Sequence, residues 1–114
     1  MRYLMCALLV CSTALAQPWR DPRPLTRDAL TGEYLNTSNR GRCEVYADGP
    51  GYVFVNENGD AARMGWIAPN TLGVVDGRGW DRAIQATIER DRRGAVRIRF
   101  DSPGERTGYW LRLR

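Results

Sequence analysis

The sequence predicts an all-β protein: a small eight-stranded antiparallel meander, closed or nearly closed into a barrel. Three observations predict it. Short runs of β-branched and aromatic residues recur at intervals of about ten residues. Clusters of Gly with Asn, Asp or Pro separate them, the residues that tight turns require. Beyond the N-terminal leader, no stretch carries the 3.6-residue apolar repeat of an amphipathic helix. A sheet of so many strands curls, and pairing its first strand with its last removes both exposed edges. A barrel of this size holds a filled interior or one small ligand.

Residues 1–16 read as a signal peptide. Arg2 precedes an apolar run from Leu4 to Val10 that continues to Leu15, and Ala14-Leu15-Ala16 matches the small-x-small pattern cut by signal peptidase. The run is too short to span a bilayer. A secreted or periplasmic protein without a membrane span is therefore expected. Residues 17–31, with Pro18, Pro22 and Pro24 among charged residues, form an extended N-terminal arm in which residues 26–30 can make one helical turn. The barrel domain then occupies residues 32–114.

Within that domain the predicted strands are residues 33–37, 42–47, 52–57, 60–68, 71–75, 80–90, 96–101 and 107–114. The strongest local signal is the third with its turn. Tyr52, Val53, Phe54 and Val55 suit a half-buried pleated surface. Asn58-Gly59 then supplies the two positive-φ positions of a type I′ hairpin turn. Asn56, Glu57, Asn58 and Gly59 are thus assigned to a structural hairpin. The cleanest alternation is in the seventh strand. Val96, Ile98 and Phe100 face one way, and Arg97, Arg99 and Asp101 the other.

Composition excludes several chemistries. There is no His, so the commonest general base, the commonest zinc ligand and every Ser-His or Cys-His pair are missing. Of the three cysteines, Cys6 and Cys11 fall in the leader. Cys43 is left without an internal partner, as a small buried apolar residue. No metal centre and no cofactor are expected. All 17 basic residues are Arg, against 13 acidic ones, for a net charge of +4. That balance permits an anionic polymer or an acidic protein as partner, but no motif of a nucleic-acid-binding module is present.

Two kinds of side chain remain as candidates for function. Trp66, Trp80 and Trp110 either close the barrel or line a binding surface. Arg97 and Arg99 either form a basic patch on the outer face, if Arg112 and Arg114 also point outward, or belong to a solvated face with Glu89, Asp101 and Glu105 interspersed. The preferred reading is an exported, non-enzymatic binding or interaction module acting through Trp66, Trp80, Arg97, Arg99, Trp110 and Arg112. A second is a protease inhibitor acting through the arm. A third is a small barrel enzyme using Glu57, which requires a concave pocket holding Glu57 beside a second carboxylate.

Gly32-Glu33-Tyr34, Cys43-Glu44-Val45, Phe54-Val55-Asn56-Glu57-Asn58-Gly59 and Trp110-Leu111-Arg112 together resemble the pattern of a family of small exported bacterial β proteins. That pattern is a Gly-x-aromatic start, a strand with Cys, a Phe-x-Asn-Glu-x-Gly hairpin and a Trp-x-Arg finish. The resemblance spans residues 32–112 and implies a fold but no activity. The Gly-x-aromatic start is also faintly similar to that of lipocalin and avidin barrels, although Tyr34 stands where those carry Trp and their other signatures are missing. In size and architecture the chain is similar to small secreted inhibitors of bacterial metalloproteases, which usually carry the paired cysteine that Cys43 cannot form. For Trp110 and Arg112, which share one face, two expectations conflict: the alternation of Leu111 and Leu113 argues that the leucines point inward, and the family's Trp-x-Arg ending argues the opposite.

Overall fold

The structure, a computed structural model, describes residues 27–113. The expected signal peptide (1–16), most of the expected arm (17–26) and Arg114 lie outside the described residues. A single helical turn, α1 (Arg27–Leu30), precedes eight strands: β1 (Gly32–Asn36), β2 (Arg42–Asp48), β3 (Gly51–Val55), β4 (Ala61–Ala68), β5 (Thr71–Gly77), β6 (Gln85–Arg90), β7 (Val96–Asp101) and β8 (Gly108–Arg112). Each strand pairs antiparallel with the next. β8 then returns to β1 through Tyr34↔Arg112, Leu35↔Leu111 and Asn36↔Trp110, so the expected meander is a closed barrel.

The period of two places one set of side chains inside. Tyr34, Cys43, Val45, Tyr52, Phe54, Ala62, Met64, Leu72, Ala86, Ile88, Val96, Ile98 and Trp110 are buried, with Val74, Trp80 and Phe100 packed against them. The waist of the barrel is therefore filled. Ala62 stands opposite Phe54 and Ala86 opposite Phe100 in the ladder, small residues beside rings in an interior too narrow for large residues on every strand.

A meander sorts its connections to two ends. At one end lie the loops β1–β2, β3–β4, β5–β6 and β7–β8. At the other lie β2–β3, β4–β5 and β6–β7, together with α1 and the end of β8. The α1 end is plugged. Leu30 is fully buried, and the Tyr34 hydroxyl donates to its carbonyl at 2.5 Å. Burial pushes the Tyr34 phenol well above the usual tyrosine range, against a smaller opposing effect of Arg112. Arg112 Nε donates to the Thr31 carbonyl at 3.0 Å, and the Leu113 amide donates to the Glu33 carbonyl at 2.7 Å. This decides the face of β8. Trp110 and Arg112 point inward, whereas Leu113 is 43% exposed. The leucine alternation misled because β8 is short: its inward positions are one indole in the core and one guanidinium at the rim.

Three local expectations are corrected. The Asn58-Gly59 turn is not type I′, because Asn58 does not have positive φ and only Gly59 does, at 84°. The Gly59 amide donates to the Asn56 carbonyl and the Asn56 amide to the Asp60 carbonyl, which makes a three-residue loop with a bulge at Gly59. Asn56 selects it. Its Oδ1 accepts from the Asn58 and Asp60 amides at 3.0 and 2.9 Å, a bracing that a two-residue turn cannot use. Asp91 and Gly94 repeat the same device between β6 and β7. The third strand accordingly ends at Val55, before Asn56 and Glu57. The sixth strand begins at Gln85 rather than Trp80. Gly79 at φ 79° reverses the chain, and Asp81 turns it again by accepting from the Ala83 amide with its side chain and from the Ile84 amide with its carbonyl.

Candidate functional site: the cavity at the loop end

At the loop end the interior is not filled. Four rings form its floor: Phe54 from β3, Trp80 from the β5–β6 loop, Phe100 from β7 and Trp110 from β8. Every pairing among them has ring centroids within 6.4 Å, the closest being Phe100 and Trp110 at 4.7 Å. Most are tilted or edge-on, the arrangements that place a ring's positive edge against a negative face. Trp80 is off the sheet and is held there by two contacts. Its Nε1–H donates to the Asp60 carbonyl at 3.0 Å. The preceding Gly79 packs where a Cβ would stand 2.8 Å from the Asp60 carboxylate.

The rim is polar, and Glu57, although exposed, accepts more side-chain hydrogen bonds than the other carboxylates there. Asn39 Nδ2 donates to Glu57 Oε1 at 2.6 Å, and Asn36 Nδ2 to Oε2 at 3.4 Å. The Cys43 thiol approaches Oε2 at 3.5 Å. Gly41 makes room for this arrangement, since a Cβ there would lie 2.5 Å from Cβ of Glu57. Partial burial raises the Glu57 carboxyl. Hydrogen bonds from its own backbone amide, Asn39, Asn36 and Cys43 outweigh that and hold it below the usual range. The carboxylate is thus ionised, and its donors are uncharged. Cys43 is the complement: burial first, and then the negative Glu57, push its thiol up to about 12. It is a buried, protonated hydrogen-bond donor rather than a nucleophile.

Between floor and rim is a cavity of about 360 Å³, lined by Asn36, Ser38, Asn56, Glu57, Gly79, Trp80, Ile84, Phe100, Asp101, Ser102, Glu105, Arg106, Gly108, Tyr109 and Trp110. That is the low end of the range for small-molecule sites, and the mixture of aromatic floor and few convergent polar groups is typical of them. Two further carboxylates share it with Glu57. Asp101 accepts from Thr107 Oγ1 at 2.8 Å and from Arg99 Nε at 2.9 Å, and Glu105 accepts from Ser102 Oγ at 3.2 Å. Neither this cavity nor any other cluster among the described residues brings together three His, Cys, Asp or Glu side chains placed to hold a metal ion.

No family model, curated protein or solved structure matches this chain. The site must therefore be read from its own geometry.

The residues expected to act together are divided among three places. Trp80 and Trp110 meet in the loop-end cavity, and Glu57 of the hairpin joins them on its rim. Trp66 lies toward the other end, 44% exposed, with its ring edge-on to Tyr52 at 5.9 Å. Arg112 is inside the α1 end, so it does not extend a basic patch on the outer wall. Arg97 and Arg99 are on that wall, but paired. Arg97 Nε donates to Glu89 at 2.8 Å and its guanidinium lies 4.6 Å from the centre of the Tyr109 ring. Arg99 donates to Glu89 at 3.2 Å and to Asp101 at 2.9 Å. Two guanidinium groups thus face two carboxylates, and this stretch of wall is locally near neutral.

Sequence reasoning missed Asn36, Asn39, Glu105, Arg106 and Tyr109 as lining or supporting residues, and treated Phe100 as core alone. The Asn36-x-x-Asn39 spacing in a turn was a usable sign. Nothing local indicates that this turn and the Glu57 turn stand side by side. Their adjacency follows from the pairing of β1 with β2 and β2 with β3.

Proposed function

We propose that this protein is an exported, non-catalytic binding module whose ligand seats in the loop-end cavity. The supporting observation is the contrast within one interior. The waist is packed with side chains, and an aromatic floor under a polar rim is left open at the loop end. Packing needs explain the buried rings, but they do not explain a carboxylate fixed over them by two amide side chains and a thiol. Ordering a side chain at a rim costs conformational entropy, which is recovered when a partner uses its geometry. Export is supported by the leader pattern of residues 1–16.

The test is a fragment screen followed by ¹H–¹⁵N correlation spectra of the full mature chain. Binding should move the indole N–H resonances of Trp80 and Trp110 and leave that of Trp66 in place. Ligands that perturb only Trp66 or the Arg97–Arg99 wall would overturn the reading.

A second reading has one specific observation in its favour: Glu57 shares a concave pocket with Asp101 and Glu105, as a carboxylate hydrolase requires. Against it, the donors around Glu57 depress its pKa, the opposite of what a general acid needs. A binding role uses the fixed negative charge directly. Turnover of glycosides that vanishes in Glu57→Gln would establish the enzyme instead.

A further inference from the structure

The charges around the cavity narrow the class of ligand. Its charged lining is Glu57, Asp101, Glu105 and Arg106. Asp101 already faces Arg99 at 2.9 Å. Glu57 accepts from Asn36, Asn39 and Cys43, and Glu105 from Ser102, all of them neutral donors. After Arg106 is counted, the mouth keeps an excess of negative charge in a protein whose net charge is +4. Beneath it stand the faces and edges of Trp80, Phe100 and Trp110, with Tyr109 at the side. An electron-rich aromatic wall with a carboxylate at its rim is the arrangement that attracts a poorly hydrated cation. A sugar would also stack on such rings and donate hydroxyls to the carboxylates, but being neutral it gains nothing from the excess charge of the mouth. An anion is disfavoured by the same charge.

We infer that the loop-end cavity takes a small organic cation, an ammonium group bearing methyl or alkyl substituents, seated over Trp80, Phe100 and Trp110 with Glu57 as its counter-charge. This rests on the reading of that cavity as the binding site. The volume, about 360 Å³, admits a group of that size together with a short tail and excludes a large ring system. The ring quadrupoles supply attraction to the alkylated cation, and Glu57 supplies the long-range pull that a neutral molecule of the same shape does not feel.

The experiment compares choline with 3,3-dimethyl-1-butanol, its uncharged isostere, by titration of the mature protein followed at the Trp80 and Trp110 indole resonances. Choline should bind saturably, roughly tenfold or more tighter than the isostere, with the difference shrinking as salt is raised. Glu57→Gln should reduce that preference to within about twofold while the isostere's affinity is unchanged. Glu105→Gln, on the facing loop, is the second variant should the first disturb the hairpin, and it should reduce the preference in the same direction. A peptide carrying trimethyllysine separates the two sources of such a group: tighter binding of the peptide assigns a modified side chain, tighter binding of choline a free ammonium compound. Equal affinities for choline and the isostere would overturn the cation and leave the cavity as a site. No shift at either indole with choline, the isostere or any member of a fragment library would overturn both.

Discussion

The two ends of this barrel solve the same problem in opposite ways. Each must finish a cylinder whose waist is dry. At the α1 end a helical turn folds in, Leu30 is buried, the Tyr34 hydroxyl and Arg112 satisfy the carbonyls of Leu30 and Thr31, and the Leu113 amide ties the end of β8 to the Glu33 carbonyl of β1. At the loop end the described residues supply no such plug. Trp80 leans in from its loop to widen an aromatic floor, and Asn36, Asn39 and Glu57 form a hydrogen-bonded rim around a cavity. One end places its polar groups to satisfy backbone, and the other places them around open space. Order that closure does not require is the mark of a functional surface, and here it lies at the loop end.

The largest effect is expected where the open end meets the waist. Phe54 is fully buried and touches the other three rings of the floor. Phe54→Ala should cost about 3–5 kcal/mol in urea unfolding; a loss below about 1 kcal/mol would mean that the floor is loosely packed. At the plugged end, Leu30→Ala should cost about 2–5 kcal/mol while leaving the Trp80 and Trp110 resonances unmoved. Shifts at both indoles would show the ends to be one coupled unit. Tyr34→Phe keeps the ring and removes only the hydroxyl that meets the Leu30 carbonyl. It should cost about 1–2 kcal/mol, because a buried carbonyl is left without its donor.

The smallest effect sharpens the contrast by pH. The Glu57 carboxyl lies below its usual value of 4.5 in the folded protein. Its ionised form therefore stabilises the fold above that value, and the advantage is lost as pH falls through the lowered one. Wild type should lose stability in that acidic window more steeply than Glu57→Gln. The loss should appear first as faster amide exchange in the loops around Asn36 and Asn56, not at α1. Identical pH profiles for the two proteins would remove Glu57 from any special role.

Much of the architecture is legible in the sequence. Val96, Ile98 and Phe100 alternate with charged residues, and a pleated strand turns that alternation directly into inside and outside. Asp48-Gly49-Pro50-Gly51 and Pro69-Asn70 mark reversals because few other residues allow them, and Asn70 indeed has φ 59°. Where local reasoning failed, a competing local bond had won. The Asn56 side chain chose a bulged loop over a type I′ turn, and Asp81 with Gly79 cut the sixth strand short. Leu111 and Leu113 look like core residues only until the partner strand is known.

The site was legible only in fragments. Trp80, Trp110 and Glu57 were singled out, yet nothing in the chain says that they converge, or that Trp66 and Arg112 belong to the other end. Arg97 and Arg99 read either as a basic patch or as a solvated face with Glu89, Asp101 and Glu105 interspersed, and only the β6–β7 register, which sets Glu89 opposite Arg97, decides for pairing.

By itself, then, the sequence determined the strands, their turns and which alternate residues prefer to leave water, because these depend on steric and hydrophobic preferences acting over a few neighbouring positions. Tertiary structure alone decided which end closed and which stayed open. The meeting of Glu57 with Asn36, Asn39 and the aromatic floor depends on registers between strands far apart in the chain, and register is a property of the closed sheet as a whole.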